Sequence, residues 1–196
     1  MKDLLKNLVL FKLGWIACVG FAAAGQPLLA TISVAVVVTV HLLGVPLAVK
    51  EAVLLATAAV IGLAWESLLV GSGLLSYPGH TEMAPLAPYW IVAMWVLFAT
   101  TINHGLRWAK KHWAVAAIAG LLGGPMAFYG GAAMGAVEFS NTALALAAIG
   151  AGWAVLLPLL IWISDTIIDS AWLEPQEKQE PLPLLPIFER EVGGEY

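Results

Sequence analysis

Hydrophobic residues occupy long uninterrupted runs in this chain, and polar positions gather in the short stretches between them. About 20 apolar residues in a row is the length an α-helix needs to cross a bilayer. Six such runs are present, at 4–24, 27–45, 52–70, 89–106, 113–137 and 142–163. They are continuous and do not alternate with period two, which excludes a transmembrane β-barrel. The pattern predicts an all-α fold: a polytopic membrane helix bundle of six transmembrane helices over residues 1–168, then a tail over 169–196.

Composition strengthens this reading. Of the 196 residues, 61% are hydrophobic and 11% charged. A soluble domain carries about 25% charged residues, so this chain has too little charge to cover a water-facing surface. The net charge of −4 is unevenly spread, with Glu174, Glu177, Glu180, Glu189, Glu191 and Glu195 all in the tail. That tail is acidic and proline-rich, and its PLPLLPIF segment is apolar enough to dock on the inner membrane face or on a partner. No basic patch speaks for nucleic acid. Cys18 is the one cysteine and lies inside the first run, so no internal disulfide can form.

The positive-inside rule orients the bundle. With both termini cytoplasmic, Lys2, Lys6, Lys50, Arg107, Lys110, Lys111, Lys178 and Arg190 fall inside, while the external connections around Gln26, 71–88 and 138–141 hold no lysine or arginine. Both ends of the chain are then expected on the cytoplasmic face of the membrane. The basic N-terminus and Ala22-Ala23-Ala24 also suit a cleavable signal peptide, but Lys12 interrupts the apolar stretch and favours an uncleaved first span.

The connections differ in character. Gly25-Gln26-Pro27 predicts a tight hairpin, with proline in the first turn of the second helix. Val45-Pro46 and the Lys50-Glu51 pair form the second connection, and 71–88, with three prolines and Tyr77, reads as a spacer. Asn141 suits the N-cap of the last helix. Trp90, Trp108, Trp113 and Trp172 read as an aromatic belt at the membrane interfaces.

Ionisable residues inside a span are costly and are candidate functional sites by default. Lys12, His41, Asn103 and His104 fall toward the cytoplasmic side, and Gln26, Glu66, Glu138 and Asn141 toward the external side. Lys12 either snorkels to the phosphates or meets an anionic head group. Glu66, in GLAWESLL, needs a partner if it faces the bundle, for which Gln26, His80 and Asn141 are candidates. His41 and His104 have no carboxylate at ligand spacing, so neither a metal nor a cofactor is expected. No nucleophile elbow, zinc-protease helix or phosphate loop occurs, and no catalytic residue can be assigned.

GGPMAFYGGAAMG, residues 123–135, concentrates glycine within a span. A helix persists there because a bilayer leaves the backbone no other partner. Gly120 with Gly124, and Gly131 with Gly135, form two small-xxx-small pairs suited to close helix contact. Pro125 cannot donate to the Leu121 carbonyl, so a kink is expected, with that carbonyl open to a neighbouring helix, a water or a ligand.

PYWIVAMWVLFATTINHGLRW together with GGPMAFYGGAAMGAVEF resembles a family of small bacterial inner-membrane proteins catalogued only as a domain of unknown function. The resemblance runs from about Asn7 to Trp162 and excludes the tail; the aromatic fourth span, His104 and the Gly-Gly-Pro with Tyr129 carry it. Members are often encoded near enzymes that modify membrane fatty acids, which implies lipid metabolism or envelope stress. Lys12 and Glu66 stand where the family usually has an amide and an aspartate.

Three functions fit these observations. One is a membrane-embedded site for an amphipathic lipid, with membrane lipids as partners; it gains if Glu66, Tyr129 and Gln26 converge on a cavity open sideways to the bilayer. A second is an assembly subunit that binds a membrane-protein partner through its Gly/Ala faces or its tail. A third is proton-coupled transport of a small solute along Glu66 and the histidines.

Overall fold

The computed structural model describes residues 2–79 and 86–170. His80, a candidate partner of Glu66, lies outside them, as do Trp172 and the tail from 171 on. The described residues form six α-helices: α1 (Lys2–Ala23), α2 (Pro27–Gly44), α3 (Ala48–Gly71), α4 (Tyr89–Ala99), α5 (Trp113–Ala133) and α6 (Thr142–Asp169). A 3₁₀ turn, Arg107–Lys111, precedes α5. Strands β1 (Leu75–Ser76) and β2 (Glu138–Phe139) pair antiparallel, with Leu75 opposite Phe139.

Among the described residues, five helices, all but α4, are long and apolar enough to cross a membrane. The fourth predicted span is corrected: regular helix stops at Ala99, and 11 residues rise only about 16 Å against a hydrocarbon core of about 30 Å. The cause is local. Thr100 and Thr101 donate their hydroxyls to the Leu97 and Phe98 carbonyls at 2.7 Å, competing with the i−4 ladder. Their backbone amides likewise bond three residues back, and the turns continue through Gly105. α4 and these turns together run from the β1–β2 end of the bundle to the end holding Lys6, Lys50, Arg107, Lys110 and Lys111.

α4 is also the most enclosed helix. It packs on α1, α2 and α3, while α5 packs mainly on α6, and α6 in turn reaches α3. Trp90, Ile91, Met94, Trp95 and Leu97 are buried, whereas Leu5, Leu28, Val60, Met126, Val155 and Trp162 are exposed on the outer surface. Apolar side chains thus cover both the inside and the outside, as a bilayer solvent requires. Trp90 leaves the predicted interfacial belt and stands edge-on to Tyr77, ring centroids 5.3 Å apart.

Element ends follow local chemistry. Gly25 takes φ +70° in the first hairpin and Pro27 opens α2. Asn141 caps α6, its side chain accepting from the Leu144 amide at 3.0 Å. α3 starts four residues earlier than the sequence suggests, so Lys50 and Glu51 belong to its first turn and not to a connection. There the Lys50 ammonium donates to the Ile168 carbonyl at 2.6 Å, near the C-terminus of α6, where the helix dipole favours a cation.

The glycine-rich helix meets α6 closely at one of its two expected pairs. A Cβ on Gly120 would overlap the Trp153 carbonyl oxygen, and one on Gly124 would sit 2.6 Å from the Trp153 ring. The second pair is corrected. α5 ends at Ala133, and Gly135 adopts φ +84° in the turn beyond, the left-handed conformation glycine tolerates; a Cβ there would meet nothing within 4 Å. Pro125 sits within a continuous α5, and a Cβ on Gly150 of α6 would lie 3.1 Å from the Leu121 carbonyl oxygen and 3.2 Å from the Pro125 ring. The neighbouring helix therefore covers the carbonyl that proline leaves without a donor.

Candidate functional site

Two buried polar groups lie toward opposite ends of α3. Glu51 and Glu66 are separated by 15 residues of one helix, about 22 Å along its axis.

At the β1–β2 end, Glu66 is fully buried. Its Oε2 accepts from the Tyr77 hydroxyl at 2.6 Å and its Oε1 from the Trp95 indole N–H at 2.9 Å. Trp95 reaches it because Gly62, one turn before Glu66, leaves room for the ring; a Cβ there would collide with it. Tyr77 arrives from the connection expected to be a spacer. That expectation fails for residues 72–79, since β1 pairs with β2, the Ser140 amide donates to the Leu74 carbonyl at 3.2 Å, and Leu75 and Tyr77 are buried. Burial, the charge of Glu66 and the hydrogen bond to it hold the Tyr77 hydroxyl well above its ordinary pKa.

Beside Glu66 lies a partly open cavity of about 90 Å³. Its wall is almost wholly apolar: Phe11, Trp15 and Val19 from α1, the buried face of α4, Ala127, Phe128 and Gly131 from α5, and Trp153 from α6. α1 and α5 both line it, yet they pack only weakly against each other. Trp153 is 8% exposed, and its indole N–H has no hydrogen-bond partner among the described residues.

The expected convergence of Glu66, Tyr129 and Gln26 is corrected. Glu66 lines the cavity, but Tyr129 points outward with 60% exposure and Gln26 is exposed in the first hairpin. One position earlier in the helix, Phe128 turns inward instead. Lys12 is also exposed, and its ammonium lies 4.7 Å from the centroid of the Trp15 ring, a cation–π contact beside the cavity wall.

At the basic end, three of the expected residues meet around one that sequence spacing missed. His41 of α2 places Nε2 3.4 Å from Glu51 Oε2; His104, in the turns after α4, places Nε2 3.2 Å from Glu51 Oε1. Asn103 donates Nδ2–H to Glu51 Oε1 at 3.0 Å. The two imidazoles stand edge to face, centroids 5.0 Å apart. The premise that the histidines lack a carboxylate is therefore corrected: Glu51 lies ten residues from one and 53 from the other, and only the packing of α2, α3 and the broken fourth segment unites them.

The network continues outward. Asn103 Oδ1 accepts from the Lys110 ammonium and the Ser164 hydroxyl, each at 2.6 Å, and Lys110 also pairs with Asp165 at 2.6 Å. Asn103, His104, Arg107, Lys110 and Lys111 border an open recess of about 700 Å³. Asn7 of α1 supports the broken backbone, donating to the Thr100 carbonyl at 3.0 Å and accepting from the Gly105 amide at 3.2 Å. The signal for these residues was present only as polar side chains near span ends; none of Glu51, Tyr77, Asn7 or Lys110 has a sequence neighbour that betrays its partner.

No curated protein and no solved structure matches the chain. Residues 4–159 match the family model described as "protein of unknown function (DUF2878)". That match covers the helices and both buried polar groups, and stops short of the end of α6 and the tail. This polytopic membrane protein belongs to the DUF2878 family.

Proposed function

We propose that this protein binds a membrane lipid by taking the end of one acyl chain into the cavity between α1 and α5, in a bacterial inner membrane with both termini cytoplasmic. The apolar, partly open cavity at a weakly packed helix seam carries this reading. Its size argues for a chain end rather than a whole lipid, because a 150 Å³ apolar cavity takes one benzene. Glu66 and Trp153 are among the residues that line it, with the Glu66 carboxylate already held by Tyr77 and Trp95. Lys12, beside Trp15, offers an acidic head group a cation. The orientation rests on the gathering of Lys6, Lys50, Arg107, Lys110 and Lys111 at one end of the bundle. A partner-binding role through small-residue faces has less support, since Gly120 and Gly124 are already used against Trp153.

A phospholipid carrying a photoreactive group at the end of its acyl chain tests the proposal in nanodiscs. Crosslinks concentrated at Phe11, Met94 and Phe128, and lost in Ala127→Trp at the cavity wall, support it. Crosslinks spread over Leu68, Val155 and other outer residues, unaffected by that substitution, overturn it. A changed lipid profile in a deletion strain would extend the role from binding to modification.

A further inference from the structure

We infer that His41, Glu51 and His104 form a binding site for a single divalent first-row transition-metal ion. The site lies toward the opposite end of α3 from the lipid cavity and does not depend on the lipid reading.

The donor set is chemically suited. Two imidazole nitrogens and one carboxylate match zinc and ferrous iron, and three protein ligands leave a position open for water or an exogenous ligand. The geometry is near that of a bound ion. Metal–ligand bonds of about 2.1 Å at tetrahedral angles place ligand atoms about 3.4 Å apart. Here the two histidine nitrogens lie 3.4 and 3.2 Å from the Glu51 oxygens, and one donor atom from each of the three residues lies within 4.8 Å of the other two. His104, whose side chain is 26% exposed against 6% and 4% for His41 and Glu51, has the freedom to close the remaining gap.

The surroundings resemble the outer shell of a metal site. Asn103 fixes the Glu51 carboxylate from the side, as the hydrogen-bond partners of metal ligands do. Lys110, which donates to Asn103, is neutralised by Asp165, so the cluster keeps the formal negative charge of Glu51 to offset a divalent ion. Without metal, both imidazoles use Nε2–H to satisfy Glu51; with metal, the same nitrogens supply lone pairs and their protons leave. Access is from the His104 side, where Arg107, Lys110 and Lys111 border the recess. An anionic oxygen ligand is the class that this basic recess would admit to the open position.

The test uses the full-length protein, purified in detergent without a histidine tag or chelator. Metal content is read by elemental mass spectrometry, and Co²⁺ and Zn²⁺ are titrated into the chelated protein with visible d–d absorption as the Co²⁺ signal. About one equivalent bound, with Co²⁺ bands of imidazole–carboxylate coordination and a rise in Tm on adding Zn²⁺, is expected. His104→Gln, the least buried ligand, should abolish the bands, and Asn103→Ala should weaken binding by about 10–100-fold. If the wild-type protein binds neither ion at micromolar concentration, the site is not a metal site, whatever the variants do. Unchanged Co²⁺ bands in a folded His104→Gln protein, or in His41→Gln, overturn it equally.

Discussion

The Tyr77 hydroxyl donates a 2.6 Å hydrogen bond to Glu66 in the interior of the bundle, although Tyr77 lies beyond the end of the helix that carries Glu66. The bond ties an extramembrane connection to the one acidic side chain buried in the β1–β2 half of α3. Both residues also line the apolar cavity.

Removing the hydroxyl leaves a buried carboxyl oxygen without its donor. Tyr77→Phe is expected to destabilise the protein by about 1–3 kcal/mol, read as a lower Tm by tryptophan fluorescence in detergent. Replacing both partners, Tyr77→Phe with Glu66→Leu, should cost less than the sum of the single changes, because no orphaned acceptor remains. Strict additivity would show that the two groups do not interact as described.

Stability at high pH follows from the same pair. The folded pKa of Tyr77 is raised above its ordinary value of 10.0 by burial, by the charge of Glu66 and by the hydrogen bond. The folded state therefore holds the phenolic proton more tightly than the unfolded chain. This contribution is complete below about pH 10, and is lost as pH rises from there through the folded pKa. Tm measured from pH 8 to pH 12 should fall more steeply above 10 in the wild type than in Tyr77→Phe. Parallel curves would remove Tyr77 from the account.

Much of the fold is legible in the sequence because bilayer-length apolar runs are a local signal. Five helices match the hydropathy runs, and the hairpin at Gly25-Gln26-Pro27 and the Asn141 cap follow from nearest neighbours. The break in the fourth span is not legible by hydropathy, since Thr100 and Thr101 count as mildly polar yet redirect the backbone. The candidate sites were half legible. His41, His104, Asn103 and Glu66 stand out as polar residues in apolar surroundings, whereas Glu51 reads as a loop charge beside Lys50. Tyr77 and Tyr129 are indistinguishable by residue type, and only packing sends one inward and the other out.

Close contact between α5 and α6 at Gly120 gives a second kind of test. A methyl there meets the Trp153 carbonyl, a backbone atom that cannot rotate away. Gly120→Ala should cost about 1–3 kcal/mol. Gly123→Ala, at a position with open space, should be neutral or stabilise by up to about 1 kcal/mol. Equal effects of the two substitutions on Tm would show that the helices do not meet as described.

Within the polar network, the ion pair and its amide hub should behave differently. Asp165 is half-exposed, so Asp165→Asn should change stability by less than about 1 kcal/mol. Asn103→Leu removes the acceptor shared by Lys110 and Ser164 and a donor to Glu51, and should cost about 2–4 kcal/mol. The ranking is checked by denaturation in mixed detergent; a larger loss for Asp165→Asn would place the weight of the network on its exposed rim.

Asn7 is the sharpest test of why the fourth segment tolerates its break. Irregular backbone at membrane depth persists only where its polar groups find partners inside the protein. Asn7 supplies two, accepting from the Gly105 amide and donating to the Thr100 carbonyl across 98 and 93 residues of chain. Asn7→Leu keeps the side chain's size and removes both bonds, leaving two buried backbone groups without their partner, a cost of about 2–4 kcal/mol. The turns after α4 also carry Asn103 and His104, so the loss should spread to the Glu51 cluster. Hydrogen–deuterium exchange should then rise at 100–106 before it rises in α5 or α6. Uniform exchange along the chain would mean that the broken segment is held by packing alone, and that Asn7 is incidental to it.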